Sequence, residues 1–205
     1  MPDSEALDLL YSFDVSRETI RKLEVYVDLL RRWTPKINLV SKSSLDQVWM
    51  RHIVDSAQIF HMGADCLHWG DLGSGGGFPG MVVAILRENQ GRTTLVESDQ
   101  RKAAFLRSVV RECDARCTVI SQRIEAAEPL NADVLSARAL ADLDTLLGFV
   151  QRHMGTNGIA LFPKGASWEK EVDQARRKWH FDLETRKSVT EPGAVILKVK
   201  DVSLV

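Results

Sequence analysis

The sequence predicts an α/β fold: a mostly parallel sheet, edged by a C-terminal antiparallel hairpin and preceded by a helical N-terminal cap. Three observations carry this. Residues 1–66 show helical periodicity, residues from 67 onward alternate short apolar runs with amphipathic stretches, and a glycine-dense segment falls between the first run and the first stretch. At 205 residues the chain suits one domain with an extension. We divide it into a cap, 1–66, and a sheet domain, 67–205.

Within the cap, Ile20, Leu23, Val27 and Leu30 recur at three and four residues, Ser16 can cap that helix, and Pro35 is expected to end it. Ser44 followed by Gln47 reads as a capping box opening a second helix with Val48, Ile53, Ala57 and Phe60 on its apolar side. Beyond it, strands are expected near 67–72, 92–97, 116–120, 132–137 and 157–162, with helices near 79–89, 99–113, 141–153 and 166–178. The turn signal Glu191-Pro192-Gly193 separates 180–189 from 194–200, which makes the closing hairpin.

Composition excludes several classes. With 27 basic and 28 acidic residues and 44% hydrophobic content, the chain is neither disordered nor a coat for nucleic acid through bulk positive charge. A local basic groove remains open. Cys66, Cys113 and Cys117 are an odd set without metal-ligand spacing, so neither a disulfide framework nor a metal site is expected. The first residues carry Asp3, Glu5 and Asp8 instead of a basic run, and the longest apolar run is Met81 to Leu86, so neither a signal peptide nor a membrane span is expected and the cytoplasm is the expected compartment.

Five of the thirteen glycines lie between 73 and 80, in Gly70-Asp71-Leu72-Gly73-Ser74-Gly75-Gly76-Gly77-Phe78-Pro79-Gly80. Glycines there let the backbone take positive φ and approach a ligand, and Pro79 suits a helix start. In open α/β sheets this strand-end crevice binds ligands. Gly75-x-Gly77-x-x-Gly80 matches a dinucleotide fingerprint, but Asp71 two residues ahead of Gly73 fits better a loop for S-adenosylmethionine, whose cationic part an acidic side chain can hold directly or through water. Glu97, ending the second strand, can accept from ribose hydroxyls with either ligand, while Asp99 stands where a helix N-cap is needed.

Asn38-Leu39-Val40, Arg51-His52-Ile53-Val54-Asp55-Ser56, the glycine segment, Ser136-Ala137-Arg138-Ala139 and Pro163-Lys164-Gly165 together resemble the small-subunit ribosomal RNA guanine-N7 methyltransferase G family, also known as glucose-inhibited division protein B. The resemblance implies a Rossmann-like S-adenosylmethionine-dependent methyltransferase fold and methylation of N7 of a guanine in a loop of 16S ribosomal RNA. It also implies cofactor contacts at Gly73, Phe78, Ile124, Glu125 and Arg138. Ile124 stands where the family usually has Ala, and Glu97 where it usually has Asp.

The residues agree with that chemistry. Guanine N7 carries a lone pair and no hydrogen, so attack on a sulfonium methyl needs no general base, and positioning and desolvation carry the rate. Neither the Asp/Asn-Pro-Pro-aromatic string of exocyclic-amine methyltransferases nor a Pro-Cys nucleophile follows the fourth strand. A bidentate arginine on O6 and N7 would block the reacting atom. Arg138 or Arg123 is therefore expected to touch O6 or phosphate only, with Lys164 a second phosphate candidate. Arg51, His52 and Asp55 share a helix face, where Asp55 either makes a surface ion pair or orients His52 or Arg51 toward the pocket.

Only 150–205 is net positive, with Arg176-Arg177-Lys178 its densest run. The expected partner is 16S ribosomal RNA or the small ribosomal subunit, met through a patch of Arg123, Arg138 and Lys164, by a monomer. The alternatives are methylation of a protein or small molecule, and dinucleotide-dependent oxidoreduction.

Overall fold

The computed structural model describes every residue except 64 and 89. Helices α1 (Ser4–Ser12) and α2 (Arg17–Ile37) are capped by Asp3 and Ser16, whose side chains accept from Ala6 N and Thr19 N. Pro35 does not end α2. It lies in the last turn, where a missing N–H costs a single backbone bond, and the Thr34 hydroxyl donates to the Leu30 carbonyl at 2.7 Å. The stop is Asn38, left-handed at φ 51°.

Helix α3 (Lys42–Asp46) is capped by Ser41, which accepts from Ser44 N at 3.2 Å. The box thus begins three residues earlier than Ser44, which lies inside α3 and is buried. A wider π-type turn, Trp49–Val54, then runs into α4 (Asp55–Phe60).

The sheet domain runs β1 (His68–Leu72), α5 (Gly80–Leu86), β2 (Arg92–Val96), α6 (Gln100–Glu112), β3 (Cys117–Ile120), β4 (Ala132–Ser136), α7 (Leu143–His153), β5 (Met154–Lys164), α8 (Trp168–Ala175), β6 (Trp179–Lys187) and β7 (Val195–Leu204). Strand order is β3-β2-β1-β4-β5-β7-β6; β1 to β5 are parallel and β7 is antiparallel to β5 and β6. The second arm of the hairpin docks on β5, which leaves β6 at the edge, where exposed Glu184, Arg186 and Lys187 discourage further pairing. Helix α5 stops short of 89 because Glu88 turns left-handed at φ 44°.

Strand side chains alternate between two layers. Trp69, Val134, Leu161 and Ile196 face α4 and α5, while Leu135, Ala160, Phe162 and Leu197 face α7 and α8. The cap shares a cluster with the helices on the first face: Leu23, Tyr26 and Leu30 of α2 pack with Met81 of α5 and Phe105 and Leu106 of α6. The cysteines are free thiols, and burial pushes Cys113 up to about 11 and Cys117 up to about 12. Strand order reverses between β1 and β4, so the loops after those two strands open a crevice at their carboxyl ends.

Candidate active site

The loop after β1 turns through left-handed Gly73, Gly75 and Gly77 at φ 64°, 55° and 100°. At Gly73 the left-handed φ favours glycine, and a Cβ would sit 2.5 Å from Leu140 Cδ1, so that side chain of the β4–α7 loop would have to shift. Tyr26 of α2 donates its hydroxyl to the Gly76 carbonyl, and a Cβ at Gly77 would lie 2.5 Å from that hydroxyl. Gly77 therefore faces the cap, not the ligand side.

A cleft of about 600 Å³ opens at the switch point. It is bordered by Gly73, Gly75 and Phe78 of the loop, Glu97 beyond β2, Arg123, Ile124 and Glu125 beyond β3, and Arg138 beyond β4. Segments distant in sequence meet at one sheet edge because parallel strands deliver their carboxyl ends to the same side.

Glu97 ties two of these segments together, accepting from Gly75 N and Asp99 N at 2.7 Å each. Asp99 caps α6, accepting from Arg101 N at 2.8 Å, as its position predicted. Behind the Ile124–Ala126 turn, His153 Nε2 lies 2.9 Å from the Ile124 carbonyl and Arg152 donates to the Ala127 carbonyl at 2.9 Å.

Asp71 does not border the cleft. Its carboxylate is buried beneath the loop, where Oδ1 accepts from the Ser136 hydroxyl at 2.6 Å and that hydroxyl accepts from Trp69 Nε1 at 2.8 Å. Burial pushes its carboxyl up to about 6, and Oδ2 has no partner among the described residues. An acid two residues before the glycine shares the β1 face of Trp69, which points it into the core rather than at a ligand.

Arg138 is held by the cap: it donates to Asp55 Oδ2 at 2.9 Å, the Arg51 carbonyl at 3.0 Å and His52 Nδ1 at 2.7 Å, and lies 5.1 Å over the Phe78 ring. His52 stacks on the same ring at 4.7 Å. Burial, with Arg138 and Arg51 adding to it, holds His52 down to about 3, so its ring is neutral. Asp55 thus orients Arg138, not His52 or Arg51. Its other oxygen accepts from Gln58 Nε2 at 2.9 Å and Thr190 Oγ1 at 2.8 Å, which fastens the β6–β7 turn to α4.

Lys164 borders an adjoining cleft on the far side of Arg138. Its ammonium donates to the Ala141 carbonyl at 2.9 Å and Glu171 at 2.7 Å. The expected patch of Arg123, Arg138 and Lys164 is therefore not a set of free cations, since two of the three are already paired. Lys102, which borders the switch-point cleft from the first turn of α6, escapes sequence reasoning because a lysine on an amphipathic helix carries no signal beyond a solvated face.

This architecture is that of the Rossmann-like S-adenosylmethionine-dependent methyltransferases. A methyltransferase from Geobacter sulfurreducens shares it with a TM-score of 0.58 over 85% of this chain and 87% of that one, at 12% identity. The chain belongs to the rRNA small subunit methyltransferase G family, whose sequence model matches residues 19–198. A ribosomal RNA small subunit methyltransferase G from Ruegeria sp. (strain TM1040) is 57% identical over 94% of this chain and 95% of its own length. Another from Ruegeria pomeroyi is 52% identical over 100% and 99%.

Proposed function

We propose that this chain transfers a methyl group from S-adenosylmethionine to N7 of a guanine in 16S ribosomal RNA, acting as a monomer on the small ribosomal subunit in the cytoplasm. The observation that carries this reading is the switch-point cleft: in a chain of this family, the β2-tip carboxylate, the glycine loop and the β3 turn converge on one space of about 600 Å³. No described helix is long and apolar enough to cross a membrane.

The cleft fits the donor in charge and shape. Glu97 and Glu125 line it together with Lys102 and Arg123, so both the cationic and the carboxylate parts of an amino-acid-bearing nucleoside find opposite charge. When bound, S-adenosylmethionine supplies a methyl group activated by the adjacent sulfonium. Glu97 would hold the ribose hydroxyls with the lone pairs its two backbone bonds leave free, and Ile124 and Glu125 would border the adenine. Gly73 and Gly75 bring bare backbone against the donor, and Phe78 closes one wall.

None of these groups is asked to move a proton. His52 is neutral, and its Nδ1 lone pair is occupied by Arg138, so it is no base; guanine N7 needs none. The rate comes from holding N7 in line with the methyl group and excluding water. Arg138, fixed by Asp55 with three of its five N–H groups already donated, walls the reacting end, and a single N–H from it to O6 leaves N7 open.

The test is mass mapping of 16S RNA after incubating the purified chain and donor with small subunits or with naked RNA. One added methyl on a guanine, released as 7-methylguanine and formed on subunits in preference to naked RNA, is expected. Methylation of protein alone, or of an exocyclic amine, would overturn the reading.

A further inference from the structure

We infer that the groove between the end of α2, α3 and the start of α6 holds single-stranded ribosomal RNA beside the target guanine. The inference rests on the ribosomal RNA reading above and adds the surface that reading lacks. The groove encloses about 670 Å³, with Pro35, Ile37, Val40 and Leu45 forming its floor and Lys36, Lys42 and Arg101 its rim. Val40 also walls the donor cleft, and Lys102, next to Arg101, borders that cleft directly. A strand lying in the groove therefore leads straight to the donor.

Charge accounting selects this side. Lys36 and Lys42 are exposed and have no hydrogen-bond or ion-pair partner among the described residues. Arg101 already faces the carboxylate of its own cap, Asp99, at 3.4 Å, so the free cations of this rim are Lys36 and Lys42. Across Arg138 every cation of the adjoining cleft already faces a carboxylate: Arg51 with Glu191 at 3.6 Å, Arg138 with Asp55 at 2.9 Å, Lys164 with Glu171 at 2.7 Å. A phosphate gains from an unpaired cation and is repelled by the acid of a paired one. Of the two clefts that adjoin the donor site, the one rimmed by Lys36 and Lys42 is thus the one open to an anion, which explains how a chain of net charge −1 grips RNA locally.

The apolar floor decides between RNA forms. A duplex offers phosphates but hides its base faces, whereas an unpaired strand lays bases and riboses on an apolar surface while its phosphates meet the rim. A loop segment matches both halves of the groove.

The experiment measures binding to small subunits against salt for the wild type, the double variant Lys36→Glu/Lys42→Glu and the single variant Arg101→Glu, with Gln in place of Glu as the milder set. All three positions are exposed, and a thermal melt reports the fold. The double variant is expected to bind subunits at least about tenfold more weakly, with a slope of log affinity on log salt shallower by about 0.7 for each phosphate that the variant no longer neutralises. Donor affinity and turnover at saturating subunits stay at wild-type level while KM for subunits rises. Poly-uridylate competes for the wild type, and duplex RNA of equal length does not.

Unchanged affinity and slope in the charge-reversed variants would overturn the inference while leaving the methyltransferase reading intact. Competition by poly-glutamate without competition by poly-uridylate would assign the groove to an acidic protein face and also overturn it. A wild type that binds donor but methylates no RNA would instead sink the parent reading.

Discussion

Replacing Asp55 by Ala removes the carboxylate on which Arg138, Gln58 and Thr190 converge at 2.9, 2.9 and 2.8 Å. The Arg138 and Asp55 side chains are 17% and 16% exposed. That places the pair nearer the buried regime, where deleting one partner costs about 3–5 kcal/mol, than the surface regime of about 1 or less. Two of the arginine's acceptors survive, the Arg51 carbonyl and His52 Nδ1, so the lower end applies. A loss of about 3 kcal/mol, at roughly 2–4 °C per kcal/mol for a chain of this size, lowers Tm by roughly 6–12 °C. The freed guanidinium also releases the Phe78 wall, and donor affinity falls about tenfold, or about 1.4 kcal/mol. Asp55→Asn keeps an acceptor oxygen without the charge and loses less. Urea unfolding and calorimetric titration of S-adenosylmethionine measure both effects. If Asp55→Ala melts with the wild type and binds donor equally well, Asp55 does not position Arg138.

Gly73→Ala combines a left-handed φ of 64° with an approach of 2.5 Å to Leu140, so it should lose measurable donor binding while Gly148→Ala, with open space around it, keeps it; equal affinities in titration would contradict the loop geometry. Tyr26→Phe leaves the buried Gly76 carbonyl without its donor, costing about 1–3 kcal/mol in urea melts, and an unchanged midpoint would remove the cap from the loop's support. His52 is held at about 3 when folded, against 6.5 as the ordinary value, so unfolding takes up a proton below pH 6.5. Its contribution to stability is complete above pH 6.5 and is lost as pH falls toward 3, at about 1.4 kcal/mol per unit. The stability difference between wild type and His52→Gln should show that slope; a flat difference between about pH 7 and about pH 5 would mean His52 titrates normally. Glu97→Gln should weaken donor binding and loosen the loop together, because one oxygen holds Gly75 N; loss of neither, by titration and amide exchange, would separate Glu97 from the site.

Much of the fold is readable locally. Cap residues and apolar spacing place α2, α6 and the sheet elements because they depend on neighbours within a turn, and Asp99 can be told from Glu97 because a cap and a strand tip occupy different steps of the same segment. The glycine segment and the Arg51–Ser56 string identify the family for the same reason: they are contiguous. Pro35 and Ser44 mislead because both are also local signals, and neither reveals that Asn38 and Ser41 make the better stop and start.

Whether a charge is free is not readable in that way. Asp55 and Arg138 lie 83 positions apart, and Asp71 and Ser136 lie 65 apart. Sequence by itself determined which ionisable groups the chain carries, where most of its elements begin, and which loop borders the switch-point cleft, since those follow from residue type and short-range geometry. Only the tertiary structure decided that Asp71 points into the core, that Arg138 and Lys164 are already paired, and that Lys36 and Lys42 have no partner among the described residues. Pairing depends on which strand ends and helices the sheet order brings within hydrogen-bond reach, and that order is a property of the whole packed chain.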